Sequence, residues 1–301
     1  MPYPALLKSL AKKSPILGRI VRERDDLRSE RDNLRRELEA ATSERNVPTT
    51  GVMPPIKRGQ SPWADVRALL GRDPELVFDV GANVGNSAAQ IRSWFPHAHV
   101  MSFEPVAATF HELLKNTQNW QHFACFNLGF SEQHCKKSVF LQKSSGWNSI
   151  EHNIDWGYGH EEITLTTIDC FCDEKDIEVI DLLKTDTEGH DLHVLRGASA
   201  RLKDGKINAI FTECGFYRDD SQHTNFCDML QFLQKYRYQF YGIYNTDPAL
   251  RYIPHNTRPD YPYPDVLFVR DKLVVDKFGA NYEDWLHQVG WPLMQIKTTD
   301  C

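Results

Sequence analysis

No apolar run in this 301-residue chain approaches the roughly 18 residues that cross a bilayer, and mean hydropathy is -0.50, which excludes a membrane-spanning helix. Met1 to Leu10 lack a signal peptide's order of basic segment, long apolar segment and cleavage site. The seven cysteines are odd in number and follow no framework spacing, which suits reduced thiols better than a disulfide scaffold. The expected location is cytoplasmic. Basic charge is scarce through most of the chain. Residues 1–61 carry 13 Lys and Arg against 8 Asp and Glu, but the rest carries 22 against 33, a net -11. A body so acidic is not expected to take nucleic acid as a partner, because phosphate contacts need a basic face. Aromatics are not lacking: 7 Trp, 11 Tyr and 16 Phe supply the bulk of a sizeable core.

The N-terminal segment follows a heptad. Ile20, Leu27, Leu34 and Ala41 recur every seven residues, with Leu17 and Leu38 at the partner position of the same register. Arg24 and Arg31 occupy the remaining partner positions and dilute the seam. Residues 1–45 are read as a helical arm that forms a weak coiled coil and a loose homo-oligomer. The competing reading is a lone solvated helix. Pro48, Gly51, Pro54, Pro55, Gly59 and Pro62 mark residues 46–62 as a linker. The folded body is expected over 63–272, followed by an extension over 273–301.

Within the body, short apolar runs alternate with helical ones. Strands are expected at Leu76–Val80, His99–Phe103, His122–Leu128, Val179–Lys184, Ala209–Glu213, Gln239–Ile243 and Val266–Val269. Helices are expected at Ser87–Trp94, Ala107–Asn116, from Asp191 to Leu202, and around Phe226–Tyr236. This is the pattern of an α/β, doubly wound, largely parallel sheet. Ser131–Thr167 interrupts it and reads as an insertion that covers a site.

The first strand ends in the turn Asp79-Val-Gly81-Ala-Asn83-Val-Gly85. A dinucleotide fingerprint would put glycines where Asn83 and Asn86 stand, so NAD and FAD are disfavoured. No Gly-Lys-Ser/Thr follows, which excludes a P-loop. Glu104 closes the second strand, where an acid can accept both hydroxyls of a ribose. A nucleoside site without a pyrophosphate cradle points to S-adenosylmethionine.

The order of Val77-Phe-Asp-Val-Gly-Ala-Asn-Val-Gly85, Phe103-Glu-Pro105, Asp181-Leu-Leu-Lys-Thr-Asp-Thr-Glu-Gly189 and Val194-Leu-Arg-Gly197 resembles the FkbM family of S-adenosylmethionine-dependent methyltransferases over roughly residues 74–270. The resemblance implies a seven-stranded, Rossmann-like methyltransferase sheet and, for most members, O-methylation of carbohydrates and natural products. It implies that Asp79, Gly81, Asn83 and Gly85 surround the methionine part of the cofactor, Glu104 the ribose, and the stretch from Asn127 to Ser131 the adenine. His190 departs from the pattern, since the family usually has a small residue there.

Methyl transfer needs an acceptor aligned with the methyl group and a group to take the acceptor's proton. Asp186, Glu188 and His190 are the catalytic candidates, each at the end of the fourth strand. Asp186 with Glu213, at the ends of adjacent strands, is the candidate pair for Mg²⁺. The bland reading makes Asp186 and Glu188 part of an ion-pair network around Lys184. Cys170-Phe-Cys172 lacks zinc-site spacing. Trp147, Trp156 and Tyr158 are read as packing residues that could also stack on a sugar, and Tyr261–Pro264 as a rigid loop. The leading function is O-methylation of a carbohydrate or natural-product hydroxyl. The alternatives are an NAD-dependent oxidoreductase and a non-catalytic cofactor-binding scaffold. Deleting residues 1–61 should leave a monomer with unchanged cofactor affinity, whereas the full chain associates weakly. Light scattering of both forms decides this, and a truncated form that stays oligomeric moves the interface onto the body.

Overall fold

Parallel strands covered on both faces read as nearly continuous apolar runs. Leu76–Val80 (β1) and Ile180–Thr185 (β7) are such runs, the second buried at every position. The computed structural model describes residue 59 and residues 61–142, 145–151, 158–216, 223–244 and 264–278. The heptad arm, nearly all of the linker, Trp156, Tyr261–Tyr263 and residues 279–301 lie outside the described residues.

The elements follow the alternation. After α1 (Pro62–Leu70) come β1, α2 (Asn86–Trp94), β2 (His99–Phe103), α3 (Ala107–Thr117) and β3 (Phe123–Phe126). Then come β4 (Gly129–Phe130), β5 (Cys135–Phe140), β6 (His160–Thr166) and α4 (Ile168–Glu174). After β7 the chain continues through α5 (Asp191–Arg196), α6 (Ser199–Lys203), β8 (Ile207–Glu213), α7 (Phe226–Gln234), β9 (Tyr238–Tyr244), β10 (Asp265–Arg270) and α8 (Asp271–Phe278). Seven strands form one sheet in the order β3-β2-β1-β7-β8-β10-β9. β10 runs antiparallel to both neighbours, and the other pairs are parallel. The order reverses between β1 and β7, which opens a crevice at the carboxyl ends of those strands.

Two cores cover the two faces. Phe78, Val80, Phe103, Phe130 and Phe171 belong to one, in which the Phe103 ring lies 5.0 Å from Phe78, 4.6 Å from Phe130 and 5.0 Å from Phe171. Val77, Leu182, Ala209 and Leu267 face the other core with Trp63, Val66 and Leu69 of α1 and Val274 of α8. The folded body therefore runs through α8, past Lys272.

The sequence does not announce α1, whose first turn is set by Ser61 accepting from the Ala64 N–H at 3.4 Å and by Pro62 at its start. The helix expected over Asp191–Leu202 is two helices. At Gly197 a Cβ would stand 2.0 Å from the Ser131 carbonyl oxygen, so glycine alone lets that backbone approach, and the chain turns there. Asp169 then accepts from the N–H groups of Ala200 and Arg201 at 2.9 and 3.0 Å and opens α6. The insertion is a small sheet in the order β4-β6-β5.

Asp181 anchors the start of β7. It takes the Arg72 guanidinium at 3.0 Å through both nitrogens, the Glu75 N–H at 2.7 Å and the Asn208 amide at 2.8 Å. Burial pushes its carboxyl up, but the Arg72 fork and the N–H donors outweigh burial and hold it below the usual carboxylate range. A depressed carboxyl stabilises the fold at neutral pH and loses that effect as pH falls through its folded value. Asp181→Asn should therefore lower unfolding stability at pH 7 by about 1–3 kcal/mol, held to the low end by the exposure of Arg72. Urea titrations should show the gap closing as pH drops below about 4, and an equal gap at both ends would disprove the role.

Candidate functional site

The crevice forms where three chain reversals meet. β1 ends at Val80, and Gly81 follows at φ +76°, where a Cβ would stand 1.9 Å from the Asp186 carbonyl oxygen. Only glycine lets the turns after β1 and β7 approach so closely. The Gly81 and Ala82 N–H groups donate to the Phe103 carbonyl at 3.0 Å, tying the turn to β2. Gly85, at φ +98°, opens α2 with no side-chain cap, so the N–H groups of its first turn remain available beside Asn86 and Ser87 on the crevice wall. The empty space is about 930 Å³, solvent mouth included.

Glu104 braces this turn. Its Oε2 accepts from the Asn83 N–H at 3.0 Å and its Oε1 from the Val106 N–H at 2.9 Å, leaving each oxygen a second lone pair. Burial pushes its carboxyl up to about 7, with Asp79 and Glu161 adding repulsion against the lowering effect of the two N–H bonds.

Asp79 does not reach the crevice. Alternation along β1 turns it to the opposite face from Phe78 and Val80, in register with Ser102 of β2 and Lys184 of β7. Parallel neighbours in register project to one side, so the three meet there. Asp79 is fully buried, with Ser102 Oγ donating to its Oδ2 at 3.2 Å and the Lys184 ammonium in ion-pair contact with its Oδ1 at 3.3 Å. Lys184 also donates to Asp186 at 3.2 Å. Burial alone would depress the ammonium, yet Asp186, Asp79 and Asp265 raise it above its ordinary value, so it stays charged.

Beyond β7 the acids crowd. Glu188 sits at φ +53° on the crevice wall, where burial, Asp186 and Asp191 push its carboxyl up to about 9. Asp191, fully buried, accepts from the Thr187 N–H at 3.2 Å and is raised to about 6 by burial and Asp186. Glu213 ends β8 and is raised well above the carboxylate range by burial, then by Asp186 and Glu188. One ligand atom each of Glu188, Glu213 and His223 lies within 4.8 Å of the others, and Asp186 is not in that group.

The insertion closes one side of the crevice. Ser145 Oγ donates to Asn83 Oδ1 at 2.7 Å, Ser149 Oγ to the Glu188 carbonyl at 2.8 Å, and Glu151 meets His190 Nδ1 at 2.6 Å. His190 is buried and its Nε2 lies 3.0 Å from Ser131 Oγ. Glu151 is lowered to about 2 by His190, so it is a carboxylate that accepts the Nδ1 proton.

A family model described as the methyltransferase FkbM domain matches residues 79–240. The chain belongs to the FkbM methyltransferase family. It is a methyltransferase with S-adenosylmethionine as methyl donor. Solved structures similar to this FkbM methyltransferase include Aeropyrum pernix fibrillarin in complex with natively bound S-adenosyl-L-methionine, at 11% identity over 74% of this chain and 86% of that one, TM-score 0.38. The METTL16 methyltransferase domain is 11% identical over 74% and 71%, TM-score 0.42. The plantazolicin methyltransferase BpumL in complex with SAH is 10% identical over 69% and 80%, TM-score 0.36. No curated protein matches the chain.

Of the residues singled out in the sequence, Gly81, Asn83, Glu104, Asp186, Glu188 and His190 line one crevice in this FkbM methyltransferase. Gly85 shapes it from the start of α2, and Asp79 supports it from beneath through Lys184. Asn127 stands behind it, donating to the Glu104 and Pro105 carbonyls at 3.0 and 2.9 Å. Sequence reasoning missed Ser145, Ser149, Glu151 and His223, which lie in polar segments without periodicity. The Gly146 and Gly159 turns were the only cue that the insertion folds back.

His190 is lowered below its ordinary value by burial, with Glu151 opposing that effect. It should be neutral at pH 7 with the proton on Nδ1, the tautomer that suits Glu151. Nitrogen-15 imidazole NMR should report that tautomer, unprotonated through the normal range near 6.5. Because the unfolded imidazole takes its proton first, stability should fall as pH drops through 6.5. An imidazole titrating at or above 6.5 would overturn the assignment.

Proposed function

We propose that this methyltransferase O-methylates a hydroxyl of a carbohydrate or natural-product acceptor. The observation that carries the reading is the convergence of the glycine turn, Glu104 and the Asp186–Glu188 corner on one crevice. The residues fit the donor. The uncapped N-terminus of α2 suits the carboxylate of its methionine part, with Gly81, Asn83 and Gly85 around it and Asp79 holding the turn's base. The spare lone pairs of Glu104 suit the ribose hydroxyls, and the Asn127–Ser131 segment, with Phe130, suits the adenine. S-adenosylmethionine supplies an electrophilic methyl on a sulfonium centre.

Asp186 stands at the acceptor end, held by Lys184, and is the group placed to take the acceptor's proton. Glu188, raised to about 9, keeps its proton at neutral pH and donates a hydrogen bond to the acceptor instead. His190, bonded at both nitrogens, holds the insertion against this corner. The acids here, with Asn148 on the same wall, suit an acceptor rich in hydroxyl groups. The -11 charge of the body beyond residue 61 disfavours a polyanionic one. The chain is read as acting in the cytoplasm, with the heptad arm holding copies loosely together.

A labelled-methyl transfer screen over extracted glycans, lipids, small metabolites, nucleic acid and protein tests the acceptor, and label confined to the nucleic acid or protein fraction would overturn the class. Glu104→Ala should weaken S-adenosylmethionine binding by about 2–4 kcal/mol, roughly 30- to 1,000-fold, without loss of fold. Ribose hydroxyls donate to the ionised carboxylate, so wild-type affinity should rise with pH through about 7 and the variant's should not. Calorimetry at pH 6 and 8 reads both, and equal affinities sink the ribose assignment.

A further inference from the structure

Acidic side chains crowd the carboxyl ends of β7 and β8. Asp186, Glu188, Asp191 and Asp265 all act on Glu213. The one buried Lys or Arg among the described residues is Lys184, already engaged by Asp79 and Asp186 at 3.3 and 3.2 Å. The Glu188 and Glu213 carboxylates accept no hydrogen bond among the described residues, and the ionic neighbour of Glu213 is His223 Nε2 at 3.7 Å. Carboxylates withdrawn from water are ordinarily hydrogen-bonded, ion-paired or metal-bound. Among the described residues no donor bonds this pair, and the ion-pair contact is the His223 imidazole.

Three separate segments converge on the spot. Glu188 comes from the turn after β7, aimed by a left-handed backbone at φ +53° that non-glycine residues seldom adopt. Glu213 is the last residue of β8, and His223 precedes α7 with its side chain 5% exposed. Their ligand atoms lie within 4.8 Å of one another. Ligands on one ion at about 2.0–2.2 Å stand about 3–3.5 Å apart, a closure that side-chain torsions supply without backbone change. We propose that Glu188, Glu213 and His223 bind a single divalent transition-metal ion. An imidazole beside two carboxylates favours the Mn²⁺-to-Zn²⁺ class over Mg²⁺ and Ca²⁺, which prefer oxygen alone. Glu188 lines the crevice, so the site borders the acceptor end. Any part the ion plays in methyl transfer rests on the function proposed above, but its binding does not.

The test uses the full chain, stripped with chelator and free of donor and acceptor, titrated with Mn²⁺ and read by the electron paramagnetic resonance sextet of the free ion. Mn²⁺ avoids the free thiols. One Mn²⁺ should bind per chain at pH 8. His223→Ala and Glu213→Gln should each weaken binding tenfold or more while calorimetry finds S-adenosylmethionine affinity unchanged. That unchanged affinity also certifies that each variant is folded, and if Glu213→Gln fails this check, His223→Ala carries the test alone. His193→Ala, in the separate Glu151–His190–His193 group, should bind Mn²⁺ as the wild type does. Absence of stoichiometric binding, or binding that survives His223→Ala, overturns the site. Such a result leaves the methyltransferase reading standing, and a failed acceptor screen leaves the metal site standing.

Discussion

Lys184 is the charge on which the crevice depends. Its ammonium sits in the sheet between Asp79 of β1 and Asp186 beyond β7, and so joins the two strands whose separation creates the opening. Asp79, fully buried, would be costly to keep there without it. Gly81 is the steric counterpart of this bond. A side chain there would push the Asp186 backbone away and carry the carboxylate out of reach. Charge and space thus impose one condition on the same few ångströms. The glycine turn, the Glu104 brace and the acidic corner are all arranged around the point where it is met.

Around that point the molecule divides its labour. The face carrying Phe78, Phe103, Phe130 and Phe171 gives the crevice a rigid apolar floor, since rings packed edge to face leave little room for movement. The insertion makes the wall opposite, which packs through Val106, Val139, Ile163 and Leu165 and adds single hydrogen bonds to the turns. His190 belongs to that wall. In the sequence it was a catalytic candidate because it follows the end of the fourth strand. In the fold, Glu151 and Ser131 occupy its two nitrogens, and it joins the insertion to the turn after β4.

The strands were legible because buried parallel strands leave apolar runs and their ends carry Gly, Asn or Pro. β1 and β2 were read to the residue for that reason, and β7 and β8 within two. The Gly197 break was not legible, since its cause is the Ser131 backbone, 66 positions away in the chain. Nor was the separation of Asp79 from the crevice. Its neighbours in sequence line the opening, but the period of two along a strand turns it to the other face. His223 and Glu151 carry no local pattern, and only chain reversal brings them to Glu188 and His190. Sequence shows what a segment does with its own neighbours, and sites are made by segments that meet late.

The insertion has a consequence of its own. Ser145 touches Asn83 on the side assigned to the donor, and Ser149 touches the Glu188 carbonyl on the side assigned to the acceptor. These two serines are four residues apart, on one short stretch of backbone that bridges both halves of the crevice. A molecule that shifts this stretch at one half also changes the free energy of filling the other, and by linkage the effect is equal in both directions. Coupling of that kind would run through the backbone between residues 145 and 149.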